Sequence, residues 1–359
     1  MTEQPLKVAF AGANARRGWA KDAHLPAIGA LQGLTLHAVS ARDQDLADEA
    51  AGAFGAAKAY GDSLEMVRDP EIDIVAITVK VPEHRAIVLA ALADGKHVYC
   101  EWPLGRDFAE TEEMAAAAKA AGVHVAIGLQ GENSDAVRHA AQLVRDGAIG
   151  RPLSLRVISP TAGWGAESPP FYAYLQDKRN GATLSTIAGG HTLSVIEAVV
   201  GAYSDVSALN SLLVERMRLT GSDKTVARTS PDHVVVIGRH EGGCVSSLEV
   251  VGGISDPAFL FEVRGEKGSI AIEGHFAGGF QGSNLTVSAT VPIPALPDAA
   301  ASGLDGPPHN VAQLYGRLEA DIRGGTRTVP DFDRAVRLAK LLDVIDLASE
   351  EGRRVTISG

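Results

Sequence analysis

Lys7-Val8-Ala9-Phe10-Ala11-Gly12-Ala13-Asn14-Ala15-Arg16-Arg17-Gly18-Trp19 runs from a short apolar segment into a glycine-bounded turn. The apolar part suits a strand buried on both faces, the kind a parallel sheet uses. The turn leads into a helix-compatible segment reaching Ala30. That layout cradles a diphosphate, because the backbone turns tightly and helix N–H groups face the anion. The spacing departs from the usual G-x-G-x-x-G: Asn14 stands at the middle glycine, and one residue is added before Gly18. Asn tolerates the left-handed conformation better than other non-glycine residues, which keeps such a turn open to it. Gly12, Asn14, Arg16, Gly18 and Trp19 are the cofactor contacts expected of this loop.

Working outward, residues 34–40 read as a second strand, 45–54 as a helix, 72–79 as a third strand and 85–93 as a helix. Residues 96–100 form a fourth strand, 109–121 an Ala-rich helix and 123–129 a fifth strand. This alternation predicts a parallel sheet with right-handed crossovers. An acid at the end of the second strand would hold the ribose of NAD. Ser40-Ala41-Arg42 stands there instead and favours the 2′-phosphate of NADP, while neighbouring Asp43 keeps NAD open. The fourth strand ends in Glu101-Trp102-Pro103, at the strand tips where ligands of open α/β sheets bind.

Beyond residue 130 the texture changes. After a helix at 135–146 and a compact turn at 147–152, strand-like runs appear at 153–159, 234–239, 245–251, 259–264 and 269–273. Glycine-containing hairpin turns at 241–243 and 265–268 join them in pairs. They predict a largely antiparallel sheet with helices on one face and the other face open. An open apolar face favours a homodimer or homotetramer formed through it. Helices at 310–323 and 332–350 and a short strand at 355–357 close the chain, with a Pro/Ala-rich loop at 292–308. The division expected is two domains, 1–130 and 131–359.

With 359 residues, two domains are the ordinary outcome. Thirty-three basic against 44 acidic residues give −11, which argues against nucleic acid and fits a small-molecule substrate. Cys100 and Cys244 are too few for a disulfide framework. With no signal-peptide pattern and no membrane-length apolar run, the expectation is a cytoplasmic protein that does not engage a membrane. The 11 histidines show no ligand spacing with carboxylates or thiols, so no metal is expected.

Glu101-Trp102-Pro103 at its strand end, the 147–152 turn, Arg264-Gly265-Glu266-Lys267-Gly268-Ser269 and the carboxyl-terminal Glu351-Gly352-Arg353-Arg354-Val355 together resemble the glucose-fructose oxidoreductase and inositol dehydrogenase family (Gfo/Idh/MocA). A narrower similarity, to the branch that includes the yeast galactose-regulon repressor, is carried by Gly18-Trp19-Ala20 with His24 and Pro26. Leu129-Gln130-Gly131, Gly190-His191-Thr192 and Pro231-Asp232-His233 add to it. The resemblance implies an α/β chain with an amino-terminal Rossmann-type parallel sheet. An α+β carboxyl-terminal domain with a largely antiparallel, open-faced sheet would follow.

In that family a Lys in a Glu-Lys-Pro motif and an Asp and His one turn apart on a helix form the reaction site. Here Trp102 takes the Lys position and Ile187 the Asp position, while His191 matches the His. Indole donates a hydrogen bond but does not titrate, so His191 is the remaining acid/base candidate. Thr78, Lys80, His84, Glu101, Trp102 and Gln130 complete the expected cofactor contacts. Trp164, Tyr172, Tyr174, Asp177 and Asn180 precede the His191 helix and suit a carbohydrate. The expectation is an NAD(P)-dependent oxidoreductase acting on a sugar, cyclitol or related compound. A dinucleotide-binding regulator without turnover and a cofactor-retaining lyase or epimerase are the rivals.

Overall fold

The computed structural model describes residues 4–295 and 303–357. In chain order the first elements are β1 (Leu6–Ala11), a π-helical turn (Ala20–His24), α1 (Leu25–Ala30), β2 (Leu34–Ser40), α2 (Gln44–Phe54), β3 (Lys58–Tyr60) and α3 (Ser63–Met66). They continue with β4 (Ile74–Ile77), α4 (Val81–Ala93), β5 (His97–Glu101), α5 (Phe108–Ala121), β6 (Val125–Gly128) and α6 (Asp135–Arg145). Next come β7 (Pro152–Pro160), β8 (Glu167–Ser168), a second π-helical turn (Ser185–Gly189), α7 (Gly190–Val200), β9 (Tyr203–Ser211), β10 (Arg216–Leu219) and β11 (Thr225–Ala227). The chain closes with β12 (His233–His240), β13 (Val245–Val251), β14 (Ala258–Gly265), β15 (Ser269–His275), β16 (Thr286–Ala289), α8 (Pro307–Gly324), α9 (Phe332–Glu351) and β17 (Val355–Thr356).

Two compact units result, one made of 1–130 with 300–337, the other of 131–299 with 338–359. One division falls after Gln130, and the described part of 300–337 groups with the first unit. The reason is packing: Val311, Leu314, Tyr315 and Leu318 of α8 are fully buried in one apolar cluster with Val8, Phe10, Ala27 and Ile28.

The first unit holds a six-stranded parallel sheet in the order β3-β2-β1-β4-β5-β6. Its central strands are buried apolar runs, β4 and β6 entirely so. Asp43 and Asp107 cap α2 and α5 by accepting the N–H groups of Leu46 and Glu110, and Gly55 and Gly122 end these helices in the left-handed region. The sequence reading has five strands here. It misses β3, three half-buried residues at the sheet edge with no apolar run to mark them.

In the second unit eight strands run β16-β15-β14-β7-β13-β12-β9-β17, antiparallel except where β13 pairs with β7. A three-stranded sheet, β11-β10-β8, stands beside it in the same unit. Along β12, Val234, Val236, Gly238 and His240 are buried while Ile237 and Arg239 are exposed. β9 escapes the sequence reading because its polar residues, Ser204, Asp205, Ser207 and Asn210, hide the alternation. The Pro/Ala-rich stretch at 292–308 lies partly outside the described residues, and Pro307 and Pro308 are not loop but open α8, where their missing N–H groups cost nothing.

Candidate functional site

In the first unit a cleft of about 1160 Å³ is lined by segments that each follow a strand's carboxyl end. Gly12 to Arg17 follow β1, Ala41 and Arg42 follow β2, Gly61 to Leu64 follow β3, and Thr78 to Lys80 follow β4. The strand order reverses between β1 and β4, the place where open α/β sheets bind nucleotides. Gly12 has φ +94°, and a Cβ there would sit 2.6 Å from Val79 Cγ1. Only glycine lets this turn approach the β4 loop so closely. Arg16, Arg17, Arg42 and Lys80 bring positive charge to the lining. A dinucleotide, long and twice phosphorylated at its centre, fits these walls.

Asn14 does not adopt the left-handed conformation allowed for it, since Trp164 is the one non-glycine residue at positive φ among the described residues. Its side-chain oxygen instead accepts the N–H groups of Arg16 (2.9 Å) and Arg17 (3.2 Å). The extra residue before Gly18 is thereby absorbed in a side-chain-capped turn. Gly12, Asn14, Arg16, Arg42, Thr78 and Lys80 are brought together on the cleft; Gly18 and Trp19 are not among its lining residues. Ser40 is fully buried, its hydroxyl 2.8 Å from that of Ser63. His84 stands behind the wall, with Nε2 3.1 Å from the Val79 carbonyl and Nδ1 3.0 Å from that of Pro103. Burial pulls its pKa down, so the neutral ring is a strut between the β4 and β5 loops.

The β5 tip carries a network that the sequence reading does not contain. Glu101 Oε1 accepts from Gln130 Nε2 at 2.6 Å and lies 3.0 Å from His24 Nε2. His24 Nδ1 is 2.9 Å from the Tyr315 hydroxyl, and the rings of Tyr99 and Tyr315 stack at 4.5 Å. Gly128 is glycine for this reason, as a Cβ there would lie 2.6 Å from Glu101 Oε1. Burial, with Glu101 nearby, raises the pKa of both tyrosines well above the ordinary value. Trp102 is 5 % exposed and joined to Pro103 by a cis peptide bond. His24 was the readable signal, although its tie to Tyr315, 291 residues away, was not.

In the second unit His191 is 3 % exposed in the first turn of α7. The paired glycines before it have no close neighbour at Gly189, where a Cβ would meet only the Leu184 carbonyl at 3.7 Å. Asp177 and Asn180 are spent on their own loop. Asp177 binds the Arg179 guanidinium and caps its N–H, and Asn180 donates to the Tyr174 carbonyl at 2.7 Å. Tyr172 is exposed and packs on Phe171, with ring centroids 4.4 Å apart. Trp164 has φ +58° and is buried, its indole N–H without a hydrogen-bond partner. Gly252 and Gly253 make room for its loop, as a Cβ on either would lie 2.8 Å from that loop's Trp164 or Gly165.

A buried ion pair holds this region, and the sequence reading misses its arginine. Arg228 Nη1 is 2.8 Å from Asp232 Oδ2, Nε donates to Gln176 at 2.7 Å, and Nη2 donates to the Gly165 carbonyl at 2.6 Å. Asp232 also accepts the N–H groups of Leu213 and Val214, each at 2.8 Å. Desolvation draws the Arg228 pKa down against the pull of Asp232.

Among the described residues, one trio of metal-type ligands gathers that sequence spacing does not reveal: His37, Asp69 and Glu71, with His37 Nε2 3.5 and 3.8 Å from the two carboxylates. Lys58 Nζ already sits 2.8 Å from Asp69 and 2.6 Å from Glu71. The ammonium takes the place a cation would need.

Comparison with known proteins agrees with this layout. Residues 6–129 match the model of an oxidoreductase family with an NAD-binding Rossmann fold, and residues 135–274 match that of the Gal80p C-terminal domain. Dehydrogenase aclE of Aspergillus oryzae is 31 % identical over 249 residues, 66 % of this chain and 67 % of that protein. The galactose/lactose metabolism regulatory protein GAL80 of Saccharomyces cerevisiae is 29 % identical, over 79 % of this chain and 70 % of its own. The structure of a super-repressor mutant of that regulator shares the fold with a TM-score of 0.87 at 23 % identity, covering 99 % of both chains. Levoglucosan dehydrogenase in complex with NADH and levoglucosan gives 0.81 at 24 % identity, covering 99 % of this chain and 100 % of that one. No helix among the described residues is long and apolar enough to cross a membrane. Matched models in both halves and a dehydrogenase 31 % identical over 67 % of its own length lead to one conclusion: the chain belongs to the Gfo/Idh/MocA family of NAD-binding oxidoreductases.

Proposed function

We propose that this protein is an NADP-binding oxidoreductase of a sugar, cyclitol or related hydroxy or carbonyl compound, with NAD as the alternative cofactor. The observation that carries the reading is the cleft at the β1/β4 crossover, closed by Gly12 and lined by Arg16, Arg42, Thr78 and Lys80. Arg42 at the β2 end supports NADP, and Asp43 beside it, which caps α2 at Leu46, keeps NAD as the alternative. A bound nicotinamide would supply the hydride donor or acceptor. The chain's own part is to hold the proton. His191 is the matched group able to give or take one near neutral pH. Trp102 supplies an apolar wall and one N–H donor, and Glu101 is held in place by His24 and Gln130. Tyr172 and Trp164 would meet the sugar ring.

The open sheet face exposes Leu209, Ile237 and Val245 and supports a homodimer or homotetramer formed through it. A second reading, a dinucleotide-binding regulator, is favoured by Trp102 and Ile187, which remove two proton-handling groups, and by the likeness to GAL80. One experiment separates the two. NADPH and NADH are titrated by fluorescence, and a sugar and polyol panel is screened at the nicotinamide absorbance with wild type and His191→Ala. Turnover that falls at least 100-fold in His191→Ala supports the enzyme. Cofactor binding with no turnover on any compound selects the regulator.

A further inference from the structure

Arg16 belongs to the turn after β1, yet its guanidinium is held on α2. Its Nε is 3.0 Å from Glu49 Oε1 and its Nη2 3.3 Å from Glu49 Oε2. The helix α2 follows β2, whose carboxyl end borders the adenosine ribose in this architecture. Arg42 opens the same segment, lines the same cleft and is 83 % exposed, with Nε 3.3 Å from Asp43. Asp43 is itself committed to capping α2 at Leu46. Two guanidinium groups thus stand on the adenosine side, and one has both arms filled by a carboxylate.

We infer that Glu49 is a selectivity residue of this cleft, holding Arg16 in the fork that an adenosine 2′-phosphate takes from it, with Arg42 as the second arm. The inference rests on the cofactor reading above and adds to it a residue and an exchange. Two N–H donors on two carboxylate oxygens is also the geometry a guanidinium offers a phosphate. The pair is 79 % and 39 % exposed, so it is weakly held and readily exchanged. A phosphate brings about two charges where the carboxylate brings one. Once displaced, Glu49 remains a like charge beside the phosphate and counts against it. A cofactor without the 2′-phosphate leaves the Arg16–Glu49 pair intact and is indifferent to Glu49.

The full-length protein is titrated with NADPH, NADH, adenosine 2′,5′-bisphosphate and 5′-AMP, as wild type, Glu49→Gln, Arg16→Ala and the double variant. Glu49→Gln is expected to tighten NADPH and the bisphosphate by up to about fivefold and to leave NADH and AMP unchanged. Arg16→Ala is expected to weaken NADPH about tenfold, with NADH spared, and to cancel the gain from Glu49→Gln in the double variant. Equal effects of Glu49→Gln on both cofactors, or no effect, overturn the role of Glu49 while leaving the cofactor reading standing. Equal weakening by Arg16→Ala overturns it as well, because Arg16 would then serve the shared pyrophosphate. A wild type that binds neither cofactor removes the cofactor reading and this inference together.

Discussion

The two units use their charges in opposite ways. In the first, Arg16, Arg42 and Lys80 line an open cleft at the carboxyl ends of the strands. In the second, Arg228 and Asp232 are buried as a pair and bind the backbone groups of neighbouring loops. A charge at an open cleft can exchange partners, whereas a charge buried against a carbonyl is fixed by the fold. The proposed function puts the cofactor in this cleft and leaves the handling of the proton to His191.

The largest effect expected from breaking this contrast is at Arg228. Arg228→Ala leaves Asp232 buried without its partner and frees the Gly165 and Gln176 segments, so urea denaturation should show a loss of about 3–5 kcal/mol. A loss below about 1 kcal/mol would mean that the pair is not the clamp described. Next comes Gly12→Ala in the first unit. The left-handed backbone costs about 1–2 kcal/mol for a residue with a Cβ, and Val79 must also shift. Unfolding should report that cost, and NADPH titration should report at least a tenfold loss of affinity. Unchanged affinity would deny the turn its cradle role.

The smallest effect tests whether structural charge also exists in the first unit, at the other ends of its strands. Lys58 lies on Asp69 and Glu71, holding Glu71 down to about 2 and drawing Asp69 below the usual carboxylate range. Both folded-state values lie below the unfolded ones, so their stabilisation is complete above the ordinary carboxylate range near 4. It is lost as pH falls through the folded values toward about 2. Urea midpoints measured between about pH 5 and pH 3 should fall for wild type and change less for Lys58→Met. Parallel slopes would show that the cluster does not contribute.

Much of the parallel half was legible in sequence, because a strand buried on both faces writes itself as an apolar run. Residues 34–40 and 245–251 match β2 and β13 residue for residue. β3 and β9 escaped: one is three residues long at an edge, and the other carries polar residues where alternation would be read. Of the candidate site, Gly12, Arg42 and Lys80 were visible as types at expected places. That Asn14 would cap a turn through its side chain, and that His84 would be a strut, depended on neighbours that no local pattern names.

Local chemistry by itself determined the alternation of strands and helices and the glycine turn after β1. The three-dimensional packing decided the rest. It brought Tyr315 to His24 across 291 residues, set Arg228 on Asp232, Gln176 and Gly165, and placed Arg16 on Glu49. The physical reason is range. Backbone propensity and hydrophobic period act within a turn or a strand, so they can be read along the chain. A hydrogen bond or ion pair acts over about 3 Å of space, and which residues share that space is settled only when the core closes.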